Sequence, residues 1–145
     1  MKLVIDANIL FSSLIKDGKT AEITLDKKIQ LFCPEFLFEE FLKYKDYILT
    51  KTHRSIDDFN KFYTILTNKI TIISEKKIKP FLKEAEQISP DPKDTVYLAL
   101  AISINAYLWS NDKKLKENQS TVKVLTTSDL LNELIETDNH NEKYS

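Results

Sequence analysis

Short apolar runs alternate with segments of helical periodicity along this 145-residue chain. The runs that predict strands cover residues 2–5, 29–33, 70–73, 106–109 and 122–125. Strands that alternate with helices favour a mostly parallel sheet, because a parallel pair needs a crossover connection that a helix usually supplies. We therefore predict an α/β fold, a three-layer α/β/α sandwich with a central sheet of about four to five strands.

The segments between these runs predict the helices. Helices are expected between Asp6 and Gly18, over 20–28, over a long segment from Pro34 to Leu49, after Ser55, over 81–88, after Pro92, and after Thr127 or Ser128. The length fits one domain. We predict a single domain over residues 1–137 and a polar, flexible C-terminal tail over residues 138–145.

Glycine occurs once, at Gly18, where average usage predicts about ten. This excludes the glycine-rich loops that cradle phosphates in nucleotide-binding proteins, and the nucleophile elbow of serine hydrolases. The net charge is −1, and Arg54 is the only arginine, so bidentate phosphate recognition is nearly absent. The single cysteine, Cys33, excludes a disulfide framework and a cysteine zinc site within one chain.

No apolar stretch approaches the roughly 20 residues that a membrane-spanning helix needs. The apolar run at the N-terminus is interrupted by Asp6, which does not fit a signal peptide. We therefore expect a cytoplasmic protein without a membrane partner.

Two aspartates directly follow predicted strands. Asp6 ends the run Leu3-Val4-Ile5, and Asp112 follows the strand that ends at Trp109, after Ser110 and Asn111. In parallel sheets, ligands bind beyond the carboxyl ends of the strands, so these carboxylates are candidates for a functional site. The alternative is that aspartate is a good turn former at a strand end.

A third candidate, Asp94, lies near the start of a predicted helix. We predict that Asp91 is the N-cap and that Pro92 is the first helical residue, which makes Asp94 the third position of that helix. It faces the same mouth of the sheet if the helix leaves the sheet there. The alternative is an acid that interacts with the helix dipole and the cap amides.

The fourth candidate is one of two adjacent glutamates, Glu39 and Glu40. Adjacent helical residues point about 100° apart, so at most one of them faces a given site. Glu40 shares a row with Phe36 and Tyr44 at the margin of the apolar stripe, and we predict it as the site residue. An ion pair with a nearby lysine, Lys43 or Lys45, is the alternative.

Four carboxylates without a neutralising arginine repel one another unless a cation joins them. Hard oxygen ligands suit Mg²⁺ or Mn²⁺, which prefer carboxylates, water and substrate phosphate. The chemistry that follows is metal-assisted attack of water on a phosphodiester. The candidate set is Asp6, Glu40, Asp94 and Asp112.

The ordered motifs that contain these acids resemble the PIN domain. The motifs are Val4-Ile5-Asp6-Ala7-Asn8-Ile9-Leu10, Pro34-x5-Glu40, Asp91-Pro92-Lys93-Asp94-x5-Leu100-Ala101 and Leu108-Trp109-Ser110-Asn111-Asp112. The resemblance extends from residue 2 to about residue 136. It implies a ribonuclease that depends on Mg²⁺ or Mn²⁺ and acts on RNA. Many members of this size are similar to VapC-type toxins, which implies an antitoxin protein as partner.

Matched residue by residue, the family's acidic set falls on the four candidates. Asn8 and Ser110 match the family's accessory polar positions, which hold an acidic ligand or a metal-bound water. Many toxin members have a further acid two residues beyond the last aspartate, where this chain has Lys114. This departure leaves the number of metal ions, one or two, open.

Two basic stretches are candidates for RNA contacts. Lys113, Lys114 and Lys116 follow Asp112 directly, and the second stretch contains Lys43, Lys45, Lys51 and Arg54. A solvated helix face is the alternative for both.

The helices predicted between Pro34 and Asn68 carry many aromatic rings. These are Phe36, Phe38, Phe41, Tyr44, Tyr47, Phe59, Phe62 and Tyr63. An excess of rings over what one domain buries would serve a homodimer surface or an antitoxin groove. Ordinary core packing is the alternative.

Three other functions remain open from the sequence. A non-catalytic PIN-like binding or scaffold module would fit the lysine at position 114, and a PIN nuclease could act in RNA processing rather than as a toxin. In a phosphatase, Asp6 would act as a nucleophile. That motif requires a second acid two residues later, where this chain has Asn8.

Overall fold

The computed structural model describes the backbone of residues 1–15 and 18–144 and the side chains of residues 1–15 and 18–140. In chain order, the elements are β1 (Lys2–Ile5), α1 (Ala7–Ile15), α2 (Lys19–Thr24), β2 (Gln30–Pro34), α3 (Glu35–Lys43), α4 (Lys45–Lys51), α5 (Ile56–Lys69), β3 (Ile70–Ile73), α6 (Glu75–Ile78), α7 (Leu82–Ile88), α8 (Thr95–Ile104), β4 (Tyr107–Trp109), α9 (Lys113–Glu117), β5 (Val124–Leu125) and α10 (Thr127–Tyr144). Short 3₁₀ turns, Lys79–Phe81 and Pro92–Asp94, precede α7 and α8. Two positions in the predicted first helix, 16 and 17, and position 145 in the predicted tail lie outside the described residues.

The five strands form one parallel sheet in the order β3-β2-β1-β4-β5. Leu3 of β1 aligns with Leu31 of β2 on one side and with Tyr107 of β4 on the other. The chain builds the sheet outward from β1 in one direction and then crosses to the other side of β1 for β4. The order therefore reverses between β1 and β4, and the predicted α/β fold is confirmed.

The central strand β1 is covered on both faces. Leu3, Val4 and Ile5 are all fully buried, although successive strand residues point to opposite faces of a sheet. Helix α8 packs against β1, β2 and β4 and contacts α6 and α7, whereas α1 contacts α2, α4 and α5. This is the three-layer arrangement that the sequence predicts.

The long helix predicted from Pro34 to Leu49 is wrong in two respects. Pro34 is extended (φ −72°, ψ 152°) because it is the last residue of β2, aligned with Ile73 of β3. The helix is also interrupted at Tyr44 (φ −99°, ψ 10°), which divides it into α3 and α4. The break at Tyr44 therefore separates two segments that the apolar pattern presents as one.

Other differences concern short elements and the C-terminus. Helices α6 and α9 were not predicted, because segments of four and five residues carry too little periodicity to be recognised. The last strand is confined to Val124–Leu125. Helix α10 continues beyond Asp138, where the tail was expected to begin, and the Asp138 carboxylate pairs with Lys28.

Within the described residues, no helix is both long enough and apolar enough to cross a membrane. Cys33 is buried in β2, and burial raises the pKa of its thiol to about 12. Its role is therefore that of a small apolar core residue.

The end of α8 provides a test of the fold. Asn105 is left-handed (φ 52°), and the following N–H, that of Ala106, donates to the carbonyl of Ala101 at 2.9 Å. Most residues with a β-carbon are strained in this conformation. Glycine has no β-carbon, and asparagine adopts the conformation at lower cost than alanine does. We expect Asn105→Gly to keep the free energy of unfolding within about 0.5 kcal/mol of wild type, and Asn105→Ala to lower it by about 1 kcal/mol. Urea denaturation measures both, and an alanine variant as stable as wild type would contradict this assignment.

Candidate functional site

A cleft of about 800 Å³ opens where β1 and β4 end and the strand order reverses. Ligands of open α/β sheets bind at such a reversal, beyond the carboxyl ends of the strands. The predicted residues that line the cleft are Asp6, Asn8, Glu40, Asp94, Ser110 and Asp112. All four acidic candidates and both accessory candidates are thus brought together from four separate segments of the chain.

Asp6 joins the end of β1 to the start of α1. Its Oδ1 accepts a hydrogen bond from the N–H of Ile9 at 2.9 Å, so the carboxylate also caps the helix. Burial raises the pKa of Asp6, and the nearby charge of Asp112 raises it further. Hydrogen bonds from the Ser110 side chain and from the N–H groups of Ile9 and Asn8 partly oppose this effect.

Ser110 connects the ends of the two central strands. It follows β4 directly and is fully buried, and its hydroxyl bonds with the Asp6 carboxylate. Its Oγ also accepts a hydrogen bond from the N–H of Asp112 at 3.2 Å. A single hydroxyl therefore orients one acid directly and the backbone of another.

Asp112 lies at the entrance to α9. Its Oδ1 accepts hydrogen bonds from the N–H groups of Lys114 at 3.0 Å and Leu115 at 3.3 Å. The alternative role of Asp112, that of a turn former, is therefore present together with its position in the cleft. One oxygen is held by the backbone, which fixes the direction of the carboxylate.

Asp94 ends the 3₁₀ turn that leads into α8, rather than being the third residue of one continuous helix. Asp91 is the cap, as predicted, and its Oδ1 accepts from the N–H of Lys93 at 3.0 Å. The Asp94 side chain makes no cap hydrogen bond at the start of α8, so capping does not account for its presence. Burial raises the pKa of Asp94, and the charges of Asp112, Asp91 and Asp6 add to the increase.

Of the two glutamates on α3, Glu40 lines the cleft, together with Phe36. Glu39 is not among the described residues of the lining. The alternative explanation for Glu40 was an ion pair with Lys43 or Lys45. In the structure these lysines lie over the rings of Tyr44 and Tyr63, at 5.6 and 4.3 Å from the ring centroids.

The sequence reasoning missed Tyr97, a nearly buried residue of the cleft. The ring of Phe36 meets its ring edge-on at 5.9 Å, and its phenol oxygen accepts a hydrogen bond from the N–H of Ala7. Burial raises the pKa of Tyr97, and the charges of Asp6 and Glu40 raise it further, so the phenol keeps its proton. Its spacing three residues after Asp94, on the same helix face, was the available signal.

The basic side chains of the cleft also differ from those expected. Lys93 is in the lining, whereas Lys113, Lys114 and Lys116 are not among its described residues. Lys116 pairs with Asp129, at 2.5 Å between Nζ and Oδ2. Lys93 immediately precedes Asp94, so its position near the cleft could have been read from the motif.

Arg54, grouped by sequence with the second basic stretch, contacts the end of α1. Its Nε and Nη2 donate to the carbonyls of Leu14 at 3.3 Å and Ser13 at 3.2 Å. Its guanidinium also lies over the ring of Phe62, at 4.3 Å from the centroid. This arginine therefore satisfies the last carbonyls of α1 and packs α1 against α5.

The charge of Asp112 lies close enough to raise the pKa of both Asp6 and Asp94, yet the acids of the cleft form an open arrangement. Among the described residues, no three carboxylate, histidine or cysteine side chains meet as a closed set of metal ligands. Mg²⁺ keeps several of its waters and is typically held by one or two carboxylates, so it does not require a closed set. The hard oxygen donors and the unfavourable accumulation of negative charge both fit a divalent cation.

Comparisons with known proteins agree with this fold. A VapBC2 structure from Rickettsia felis, bound to a DNA fragment from their promoter, matches with a TM-score of 0.61 and 17% identity, covering 87% of this chain and 98% of that chain. A toxin–antitoxin complex from Klebsiella pneumoniae matches with a TM-score of 0.63 and 16% identity, covering 86% and 97%. At these identities the similarity establishes a shared fold. No curated protein sequence matches the chain.

The family comparison covers most of the sequence. The model of the PIN domain matches residues 4–135, which include the end of β1, the four acidic candidates and the first half of α10. The order of the motifs, the parallel sheet and the acidic cleft at the strand ends lead to the same assignment: this chain belongs to the PIN domain family.

Proposed function

We propose that this protein is a divalent-metal-dependent endoribonuclease and the toxin of a toxin–antitoxin pair. The observation that carries the proposal is the cleft in which Asp6, Glu40, Asp94 and Asp112 lie together at the strand-order reversal. An accumulation of carboxylates there destabilises the folded chain unless a cation joins it. PIN nucleases generally use divalent metal ions, which agrees with this donor set.

Mg²⁺ or Mn²⁺ would be held by the four acids of the cleft, Asp6, Glu40, Asp94 and Asp112. The bound cation would supply a water of lowered pKa and would neutralise negative charge on the phosphodiester. These roles rest on the positions of the side chains in the cleft and on the residue-by-residue match to the family's acidic set.

The remaining contributions come from the chain itself. Ser110 and the N–H of Ile9 hold the Asp6 carboxylate in one orientation, and the start of α9 does the same for Asp112. Asn8 lies in the cleft with an amide that can hold a water or a phosphate oxygen. Lys93 supplies positive charge near the acids, where a phosphate group would otherwise be repelled.

The proposed biological role draws on the solved structures. Both similar folds come from toxin–antitoxin systems, and each matches almost the whole of the related chain. We therefore infer an antitoxin protein as partner. RNA as the substrate and a cytoplasmic location are proposed from the resemblance to the family and from the sequence. Lys113 and Lys114, which begin α9 beside Asp112, are proposed to contact the RNA as it leaves the cleft. A homodimer remains a further proposal.

The first test removes the carboxylate of Asp6. Asp6→Asn keeps the size of the side chain but removes the negative charge, so we expect loss of stoichiometric Mn²⁺ binding and a fall of at least about 100-fold in RNA cleavage. Isothermal titration calorimetry and cleavage of a labelled RNA measure the two effects. Cleavage by the wild type in excess EDTA, or unchanged cleavage by the variant, would contradict the proposal. A wild type that binds no Mn²⁺ would favour a non-catalytic binding module.

The second test compares adjacent glutamates on α3. Glu40→Gln removes a carboxylate that lines the cleft, whereas Glu39→Gln makes the same change one residue away, outside the described lining. We expect the first variant to lose at least about tenfold in kcat/KM for RNA and the second to remain within about twofold of wild type. Equal effects of the two substitutions would show that Glu40 has no special role.

The third test uses pH. The pKa values of Asp6 and Asp94 are raised in the folded protein, so the folded chain binds protons more tightly than the unfolded chain. Without metal, these two acids therefore cost stability that grows as the pH rises above the normal carboxylate pKa of about 4. We expect the double variant Asp6→Asn/Asp94→Asn to gain stability relative to wild type as the pH rises above about 4.

Urea denaturation in EDTA at several pH values measures this difference. Addition of Mn²⁺ to the wild type at neutral pH is expected to recover part of the same stability, because the cation neutralises the acids. A difference between variant and wild type that is independent of pH would contradict the assigned electrostatic cost.

A further inference from the structure

Two exposed tyrosines on the α3–α4 segment each have a lysine over the ring. Lys43 Nζ lies 5.6 Å from the centroid of Tyr44, and Lys51 Nζ lies 5.5 Å from that of Tyr47. The two tyrosines are 46% and 61% exposed. We call the set of Lys43, Tyr44, Tyr47 and Lys51 the tyrosine–lysine strip.

The rings of the strip differ from the other rings of this region. Phe41 and Phe59 are fully buried, and both contact Tyr63, with centroid distances of 5.2 and 6.0 Å. Core packing therefore explains those rings. It was the alternative to a homodimer surface or an antitoxin groove. It does not explain Tyr44 and Tyr47, which are exposed.

The strip begins directly beside the acidic cleft. The N–H of Tyr44 donates to the carbonyl of Glu40 at 3.0 Å, so Tyr44, the residue directly after α3, lies about one helical turn beyond Glu40. This separation is about 6 Å along the helix axis. The N–H of Ile48 in turn donates to the carbonyl of Tyr44 at 2.9 Å, which carries the helical path on to Tyr47.

The charge of the cleft requires binding groups outside it. The cleft contains four candidate acids and Asp91, and Lys93 is the only lysine among its described residues. Without a bound cation, this accumulation of negative charge repels a phosphate backbone. The lysines of the adjacent strip attract that backbone, and its aromatic faces accept unstacked bases without sequence preference.

We propose that the tyrosine–lysine strip binds single-stranded RNA, with a base of a nucleotide flanking the cleaved phosphate stacked on Tyr44. The proposal rests on the proposed nuclease function, which it deepens by assigning a surface that binds the RNA beside the cleft. Lys43 and Lys51 contact the phosphates on either side of the stacked bases. The strip thus holds the RNA while the acidic cleft holds the reacting phosphate.

The chain contains a matched control for this surface. Tyr107 is 40% exposed and has Lys123 Nζ at 5.3 Å from its ring centroid, so it has the same chemistry as Tyr44 with Lys43. Tyr107 is the first residue of β4, however, and lies at the opposite end of the strand from the cleft. A non-specific effect of removing an exposed tyrosine would appear equally at both positions.

The binding experiment uses fluorescence anisotropy of a fluorescein-labelled oligoadenylate of about ten nucleotides, in EDTA so that no cleavage occurs. We expect Tyr44→Ala to weaken binding about tenfold and Tyr44→Phe, which keeps the stacking face, to remain within about twofold of wild type. Tyr107→Ala is expected to bind as the wild type does. Circular dichroism and urea denaturation establish that each variant is folded.

A second readout reports stacking directly. In Tyr44→Trp the new indole is exposed beside the cleft, whereas the natural Trp109 is fully buried. We expect the oligonucleotide to quench the fluorescence of Tyr44→Trp and to leave that of Tyr107→Trp unchanged. Absence of quenching at position 44 would overturn the assignment even if the alanine variant bound weakly.

The outcomes separate the two levels of the proposal. RNA binding that is unchanged in Tyr44→Ala, or weakened equally in Tyr107→Ala, overturns the strip as an RNA surface. If Tyr44→Ala binds RNA as the wild type does, the exposed Leu42 next to the tyrosine–lysine strip favours a protein partner instead. Failure of the wild type to cleave RNA with Mn²⁺ would overturn the nuclease function alone, because the binding experiment contains no metal.

Discussion

The burial of the Asp6 carboxylate is the constraint on which the rest of the site depends. Asp6 follows three fully buried residues of the central strand, so a carboxylate lies directly at the end of a core strand. Hydrogen bonds from Ser110 and Ile9 stabilise the charge, yet burial and the neighbouring Asp112 still raise its pKa. A group held in an unfavourable state by a rigid scaffold is typical of a functional site.

The sheet order explains why other acids are close to Asp6. Strands β2 and β4 flank β1 on opposite sides, so the helices that follow β1 and β4 diverge and leave an open cleft between them. The turn after β4 contributes Asp112, α3 contributes Glu40, and the start of α8 contributes Asp94. None of these positions needs a glycine, which agrees with a chain whose one glycine lies at the start of α2.

Much of this site could be predicted because strand ends can be read from sequence. A buried run that ends in aspartate identifies Asp6 and Asp112, and the spacing on one helix distinguishes Glu40 from Glu39. The interruption at Tyr44 could not be predicted, since both α3 and α4 continue one apolar pattern. Tyr97 and Lys93 were missed, although both lie close to Asp94 in the sequence, because neither was considered as a site residue.

The account combines a cation site with a neighbouring RNA surface, and the cation site is its central claim. The most direct measurement is the anomalous diffraction of manganese in a crystal of the protein soaked in Mn²⁺. The account predicts an anomalous peak in the cleft, within coordinating distance of Asp6 and of at least one other of its acids. A fully soaked crystal with no peak beside Asp6, or with manganese only on surface carboxylates elsewhere, would contradict it.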